Sequence, residues 1–198
     1  MAPARDGQPA TDQDRETSRS VAPATPTPFR ALFDREFDYV WMSLRRLGVH
    51  ARELEDVAQD VFVRVHRRLA DYDPARPLRP WLFAFAVRCA SDWRRLSRNR
   101  VEVMGIDGAL AAPGPSADDV LDRARDHDLV LRALAQLEPD RRAVFVLHEL
   151  DECPMKQIVE ALDIPLFTGY SRLRLARRDF TAAVRRLRPL PTHQRERL

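Results

Sequence analysis

Along most of the chain the apolar residues recur every three or four positions, the pattern of helices that turn one face toward a core. Phe29, Phe33, Phe37, Val40, Leu44 and Leu47 make a first stripe, and Gly48 predicts its stop. A second helix is predicted from about Arg52 to Ala70, with Leu54, Val57, Val61, Val65 and Leu69 inward. Its outer face carries Asp56, Gln59, Asp60, Arg64 and Arg67. The proline-broken loop DYDPARPLRP (71–80) follows, and Trp81 opens a third helix. There Leu82, Phe85, Cys89, Trp93 and Leu96 form the apolar stripe. Arg88, Asp92, Arg95 and Asn99 share a neighbouring face.

The pattern then changes. Residues 101–128 hold Glu102, Asp107, Asp118, Asp119, Asp122, Asp126 and Asp128 against only Arg123 and Arg125, with Gly105, Gly108 and PGP at 113–115. This predicts an acidic linker that runs into a helix, with Ser116 and Asp119 spaced as a capping box. Helical spacing resumes at Leu131, Leu134 and Leu137, and Pro139 fits the first turn of another helix. Pro154 starts MKQIVEAL, DIP interrupts it, and LFTGYSRLRLARRDF follows. In that last segment Gly169, Leu173, Ala176 and Phe180 share one face, while Tyr170, Ser171, Arg174, Arg177 and Arg178 point elsewhere. Helix, tight turn and cationic helix have helix-turn-helix spacing. The expected fold is all-α: two small helical domains, 29–100 and 129–188, joined by a flexible acidic linker over 101–128. Proline-rich residues 1–28, without an aromatic, and residues 189–198 read as tails.

Charge sharpens this picture. The net charge of +3 is small for a chain that is 32% charged, so placement matters more than the total. Of the 33 basic residues only Lys156 is a lysine, a bias that fits a GC-rich genome. Cys89 and Cys153 stand alone and predict a reducing, cytoplasmic compartment rather than a disulfide scaffold. No stretch is long and apolar enough for a membrane span, so no direct membrane insertion is expected. HELDEC at 148–153 opens like a zinc protease motif, but Glu152 stands where the second histidine belongs. His148, Glu149 and Cys153 are too few for a complete zinc site. There is no glycine-rich phosphate loop and no nucleophile motif, so neither an enzyme, a cofactor, a metal nor a small-molecule substrate is expected.

Four motifs in order carry a resemblance: D-x-x-Q-D-V-F at 56–62, W-L at 81–82, D-x-x-R at 92–95 and T-x-x-S-R-L-x-x-A-R at 168–177. Over about residues 29–188 the chain resembles bacterial RNA polymerase sigma factors of the extracytoplasmic-function (ECF) group. The resemblance implies core RNA polymerase and promoter DNA as partners, together with an anti-sigma factor. It implies that Asp56, Gln59 and Asp60 dock on the polymerase clamp. Arg79, Trp81, Arg88, Asp92, Arg95 and Arg98 then fall in the part that opens the minus-10 element, with Trp93 expected in the core. Thr168, Tyr170, Ser171, Arg172, Arg174, Arg177 and Arg178 fall in the helix that reads the minus-35 element.

The chain departs from the family at Arg88, commonly Asn, at Gln157-Ile158-Val159, commonly Glu-Ile-Ala, and at Gly169, commonly Val. A helical glycine costs about 1 kcal/mol against alanine. Gly169 is therefore expected to leave the second domain marginally stable alone, and Gly169→Val to change its melting temperature. The competing function is a free-standing helix-turn-helix repressor or activator, which would bind a palindromic duplex without polymerase.

Overall fold

The computed structural model describes residues 28–104 and 118–188, with side chains for 28–98 and 126–188. The tails and the Ser116 cap lie outside the described residues. All described elements are helical: α1 (Pro28–Arg46), α2 (Leu54–Arg68), α3 (Leu78–Met104), α4 (Asp118–Ala135), α5 (Pro139–Phe145), α6 (Met155–Leu162) and α7 (Leu166–Leu187). Short 3₁₀ turns precede and follow α2, and a π-helical turn, Val146–Leu150, extends α5. Both ends of the acidic 101–128 segment are helical, since α3 runs to Met104 and α4 starts at Asp118.

The first three helices pack mutually. Leu44, Leu47, Leu54, Val61, Leu82 and Phe83 are fully enclosed, each contributing about 1.5–3 kcal/mol by leaving water. The chain leaves α1 through Gly48, whose φ of +92° is natural only to glycine. The amides of Gly48 and Val49 close back on Arg45 and Leu44, satisfying carbonyls of the last turn.

Three expectations from the hydrophobic pattern are corrected. On α1 the buried positions are Leu32, Glu36, Val40, Ser43 and Leu44, whereas Phe29, Phe33 and Phe37 are half-buried beside Phe62. The stripe is rotated because Glu36 is enclosed between Arg35 and Arg79, an ion-pair partner the pattern cannot show. Leu96 is 55% exposed, and small Ala86 and Ala90 fill the α3 core face instead. Trp93 is half-buried, its indole N–H donating to Glu53 and its ring edge-on to His50. The third helix also begins at Leu78, before Trp81, because Pro80 is tolerated in a first turn whose amides need no helical partner.

In the second half α7 packs on α4, α5 and α6. The Glu138 carboxylate accepts from the amides of Asp140 and Arg141, both at 3.1 Å, and Pro139 occupies the first position of α5. This cap contributes about 1 kcal/mol. Asp163, at φ 53°, makes the left-handed stop between α6 and α7, and Pro165 starts the next helix.

The two halves meet. α6 lies on α3 and α4 touches α1, within a continuous set of buried side chains. Arg142 of α5 is 6% exposed and reaches three carbonyls: Leu47 O at 2.8 Å, Ala135 O at 2.7 Å and Leu137 O at 2.9 Å. These cluster at the C-terminal ends of α1 and α4, where helix dipoles favour a cation. Burial, with Arg94 nearby, pushes the guanidinium down to about 10, still charged at neutral pH. The π-turn brings Asp151 to α1, where it accepts from Tyr39 (2.9 Å) and pairs with Arg46 (2.8 Å).

Candidate nucleic-acid interface

The α6–α7 pair has helix-turn-helix form, and its sequence fixes which side of α7 stays free. Gly169, Leu173, Ala176 and Ala183 are buried, with Phe180 half-buried against the Phe145 ring at 4.7 Å. The opposite side of the first turns is open. Tyr170 is 55% exposed, Arg174 is exposed, and Thr168 and Ser171 are partly exposed. Phe167 is 84% exposed, a residue the sequence reading missed. Its signal was its position: an apolar side chain in the first turn of α7, off the Gly169–Leu173 stripe. An exposed aromatic ring at that place suits contact with a thymine methyl in the major groove.

Arg172, Arg177 and Arg178 of α7 are each tethered to a carboxylate. Arg172 pairs with Asp140, Arg177 with Glu149 at 2.7 Å, and Arg178 with Asp179 at 2.8 Å. Burial works against the Glu149 charge, but Arg177 and His148 prevail and hold its carboxyl below the usual range. Exposed pairs of this kind contribute at most about 1 kcal/mol each, so exchange for phosphate is cheap. His148 turns to Glu149, and the Cys153 thiol faces Gln157, so the HELDEC residues do not converge. Among the described residues no three or more His, Cys, Asp or Glu side chains are grouped to hold a metal. Burial pushes both thiols up to about 11, which leaves them protonated at neutral pH.

A second cationic face lies on α3. Arg88 and Arg95 are exposed, and Arg88 lies over the Phe85 ring at 5.6 Å. Asp92 is bridged by Arg64 at 2.9 Å and Arg95 at 3.6 Å. Asp92 thus positions arginines rather than standing free. Trp81 is half-buried between Phe85 and Tyr72, with centroid separations of 4.8 and 4.9 Å. Arg98 is exposed farther along the helix. Arg79 stands apart from this group: it pairs with buried Glu36 at 3.1 Å and covers the Tyr39 ring at 5.0 Å. Its position binds α3 to α1.

The third surface is on α2, whose Leu54, Val57, Ala58, Val61, Phe62 and Val65 are buried. That packing leaves Asp56, Gln59 and Asp60 exposed together on one side. Gln59 also borders a cleft of about 570 Å³ walled by Phe29, Phe33, Phe37 and Phe62.

The comparisons with known proteins agree with this arrangement. The sequence matches Sigma-70 region 2 over residues 32–100 and Sigma-70, region 4 over residues 127–180. It is 34% identical over 169 residues to the ECF RNA polymerase sigma factor SigL of Mycobacterium tuberculosis, covering 84% of this chain and 94% of the relative. It is 25% identical over 168 residues to the ECF RNA polymerase sigma factor SigW of Bacillus subtilis, covering 80% and 90%. In fold it is similar to the sigma factor RpoE of Bartonella quintana, solved with the anti-sigma factor NepR. That TM-score is 0.64 at 18% identity, over 81% of this chain and 98% of the other. CnrH, solved with the cytosolic domain of CnrY, gives 0.57 at 24% identity, over 81% and 89%. With both sigma-70 regions present in order, and SigL aligned along nearly its whole length, the chain belongs to the ECF group of bacterial RNA polymerase sigma factors.

Proposed function

We propose that the chain works as an alternative sigma factor through three separate surfaces. The acidic and amide face of α2 (Asp56, Gln59, Asp60) docks on core polymerase. The α3 face with Trp81, Arg88, Asp92, Arg95 and Arg98 holds the opened minus-10 strand. The first turns of α7, with Phe167, Thr168, Tyr170, Ser171 and Arg174, read the minus-35 duplex, while Arg172, Arg177 and Arg178 hold its backbone. The observation that carries this reading is the helix-turn-helix in the region 4 match: its second helix buries Gly169, Leu173 and Ala176 and leaves its N-terminal aromatic and cationic side open. A recognition helix needs that orientation, since base edges are met by its N-terminal residues.

The protein itself performs no bond chemistry; polymerase carries out nucleotide transfer. It works in the cytoplasm, and among the described residues no helix is long and apolar enough to cross a membrane. Its partners are core polymerase, promoter DNA and an anti-sigma protein of the kind solved with RpoE.

The test is transcription by purified core polymerase on genomic fragments, with and without the protein. Discrete starts that appear only with the protein are expected, and aligning them yields both promoter elements. No stimulation, together with tight binding of the protein alone to a palindromic duplex, would replace this reading with the repressor or activator one. Asp60→Arg is expected to weaken core binding at least tenfold in a titration with labelled protein, because a like or misplaced charge at an interface costs several kcal/mol. Its melting temperature is expected to stay close to wild type, since the position is exposed.

A further inference from the structure

The open side of α7 has a narrow chemical repertoire. From Leu166 to Arg178 the helix carries no Asn, Gln, Asp or Glu. It therefore lacks the amide that holds adenine by two bonds and the carboxylate that accepts from cytosine. It offers arginines, the hydroxyls of Thr168 and Ser171, and one apolar patch. Five large hydrophobic side chains are exposed among the described residues, and Leu166, Phe167 and Tyr170 are three of them. Such clustering marks a contact surface. Phe167, Ser171 and Arg174 recur at helical spacing along one face, with Tyr170 beside them. Arg174, unlike Arg172, Arg177 and Arg178, is held by no carboxylate among the described residues.

We propose that Phe167 reads the C5 methyl group of a pyrimidine in the major groove of the minus-35 element, so that its ligand is thymine or 5-methylcytosine. The proposal deepens, and rests on, the reading of α7 as the recognition helix. Two features assign the patch to DNA rather than to a protein. It is continuous with Arg172, Arg174, Arg177 and Arg178 on the same helix, whose charges complement phosphate. No side chain caps the first amides of α7, which leaves them open to a phosphate beside the patch. The spacing lets both kinds of base contact form together. Phe167 and Arg174 are seven residues apart, about 10 Å along the helix, the length of about three base pairs. Arg174 takes the O6/N7 edge of a guanine while the Phe167 ring covers a methyl. An adenine–thymine pair is thus recognised through its thymine, without any bond to adenine. In that groove only the methyl distinguishes cytosine from 5-methylcytosine, so promoter affinity responds to cytosine methylation at this step.

The test uses the full chain with core polymerase and a promoter fragment taken from the aligned starts. Each thymine of the minus-35 element, on either strand, is replaced in turn by deoxyuridine, which removes only the methyl, and competition binding is measured. At one position the replacement is expected to weaken binding about fourfold, the effect of losing one buried methyl. The same replacement is expected to change nothing for Phe167→Ala, which should melt with wild type because the ring is exposed. Exchanging that pair for cytosine–guanine should cost affinity, and 5-methylcytosine at that place should recover part of it. Undiminished binding with deoxyuridine at every position overturns the proposal, as does a loss that persists in Phe167→Ala or an element without thymine on either strand. If Phe167→Ala weakens binding to core polymerase and not to the fragment, the patch belongs to a protein partner, which also overturns it. If no start appears with polymerase, the sigma reading fails by itself. The replacements are then made in the duplex that the protein binds alone, where the same outcomes decide; binding to no duplex overturns both.

Discussion

Replacing Arg142 with alanine is expected to lower the unfolding free energy of the chain by about 3 kcal/mol or more, read from urea denaturation followed by helical circular dichroism. The magnitude follows from what is left behind. Three carbonyls, of Leu47, Ala135 and Leu137, lose their donor, and the bonds to Leu47 and Leu137 are buried. Each abandoned buried polar group costs about 1–3 kcal/mol unless water replaces the partner. The carbonyls also sit at helix C-terminal ends, where a cation contributes further. Against this stands the expense of burying a guanidinium whose Nε has no partner among the described residues. The three bonds outweigh that expense because the planar fork meets all three acceptors at 2.7–2.9 Å. Arg142→Lys is expected to recover little, since an ammonium cannot span the acceptors in one plane. If Arg142→Lys matched wild type, the fork geometry would be irrelevant and charge alone would suffice.

Gly169→Val is expected to destabilise the helix-turn-helix by about 1–3 kcal/mol, the usual effect of overpacking. This reverses the expectation from the sequence, which counted the glycine as a loss of helix stability. A Cβ at position 169 would lie 2.6 Å from Val159 Cγ1 and 2.8 Å from Met155 Sδ. The methionine can swing aside; the branched valine on α6 cannot easily do so. The two departures from the family are thus one exchange of volume: where alanine and valine are common at 159 and 169, this chain has valine and glycine. The check is a double-mutant cycle in thermal melts. Val159→Ala alone should destabilise by opening space, and Val159→Ala with Gly169→Val should be more stable than the two single losses added together. Additive effects would remove the exchange argument.

These two residues also mark where legibility in the sequence stopped. Periodicity located every described helix, because apolar spacing and proline or glycine breaks are local signals. It placed Leu54, Val57, Val61 and Val65 correctly, for their face is apolar without interruption. It failed at Glu36, whose burial depends on Arg79, 43 residues away, and it carried Leu96 inward by extrapolation. The motifs singled out residues of α2, α3 and α7, most of which lie at the surface, but not Phe167, which lies outside any apolar repeat. Nor could the sequence show that α6 lies on α3 or that Asp151 meets Tyr39, since both join distant stretches of chain. At Arg79 the charge was visible in the sequence and its engagement with Glu36 was not.

The π-turn at Val146–Leu150 gives chain length an unusual part to play. A π-turn accommodates one residue more than the α-helix it interrupts, and each residue rotates a helix by about 100°. Removing a single residue between Val146 and Leu150 would restore regular α-helix and swing everything after it around the axis. Asp151 would then no longer face Tyr39 and Arg46, although every side chain involved in that contact was still present. A one-codon deletion would thus break the Asp151 contact between the two halves without substituting any of the side chains that make it.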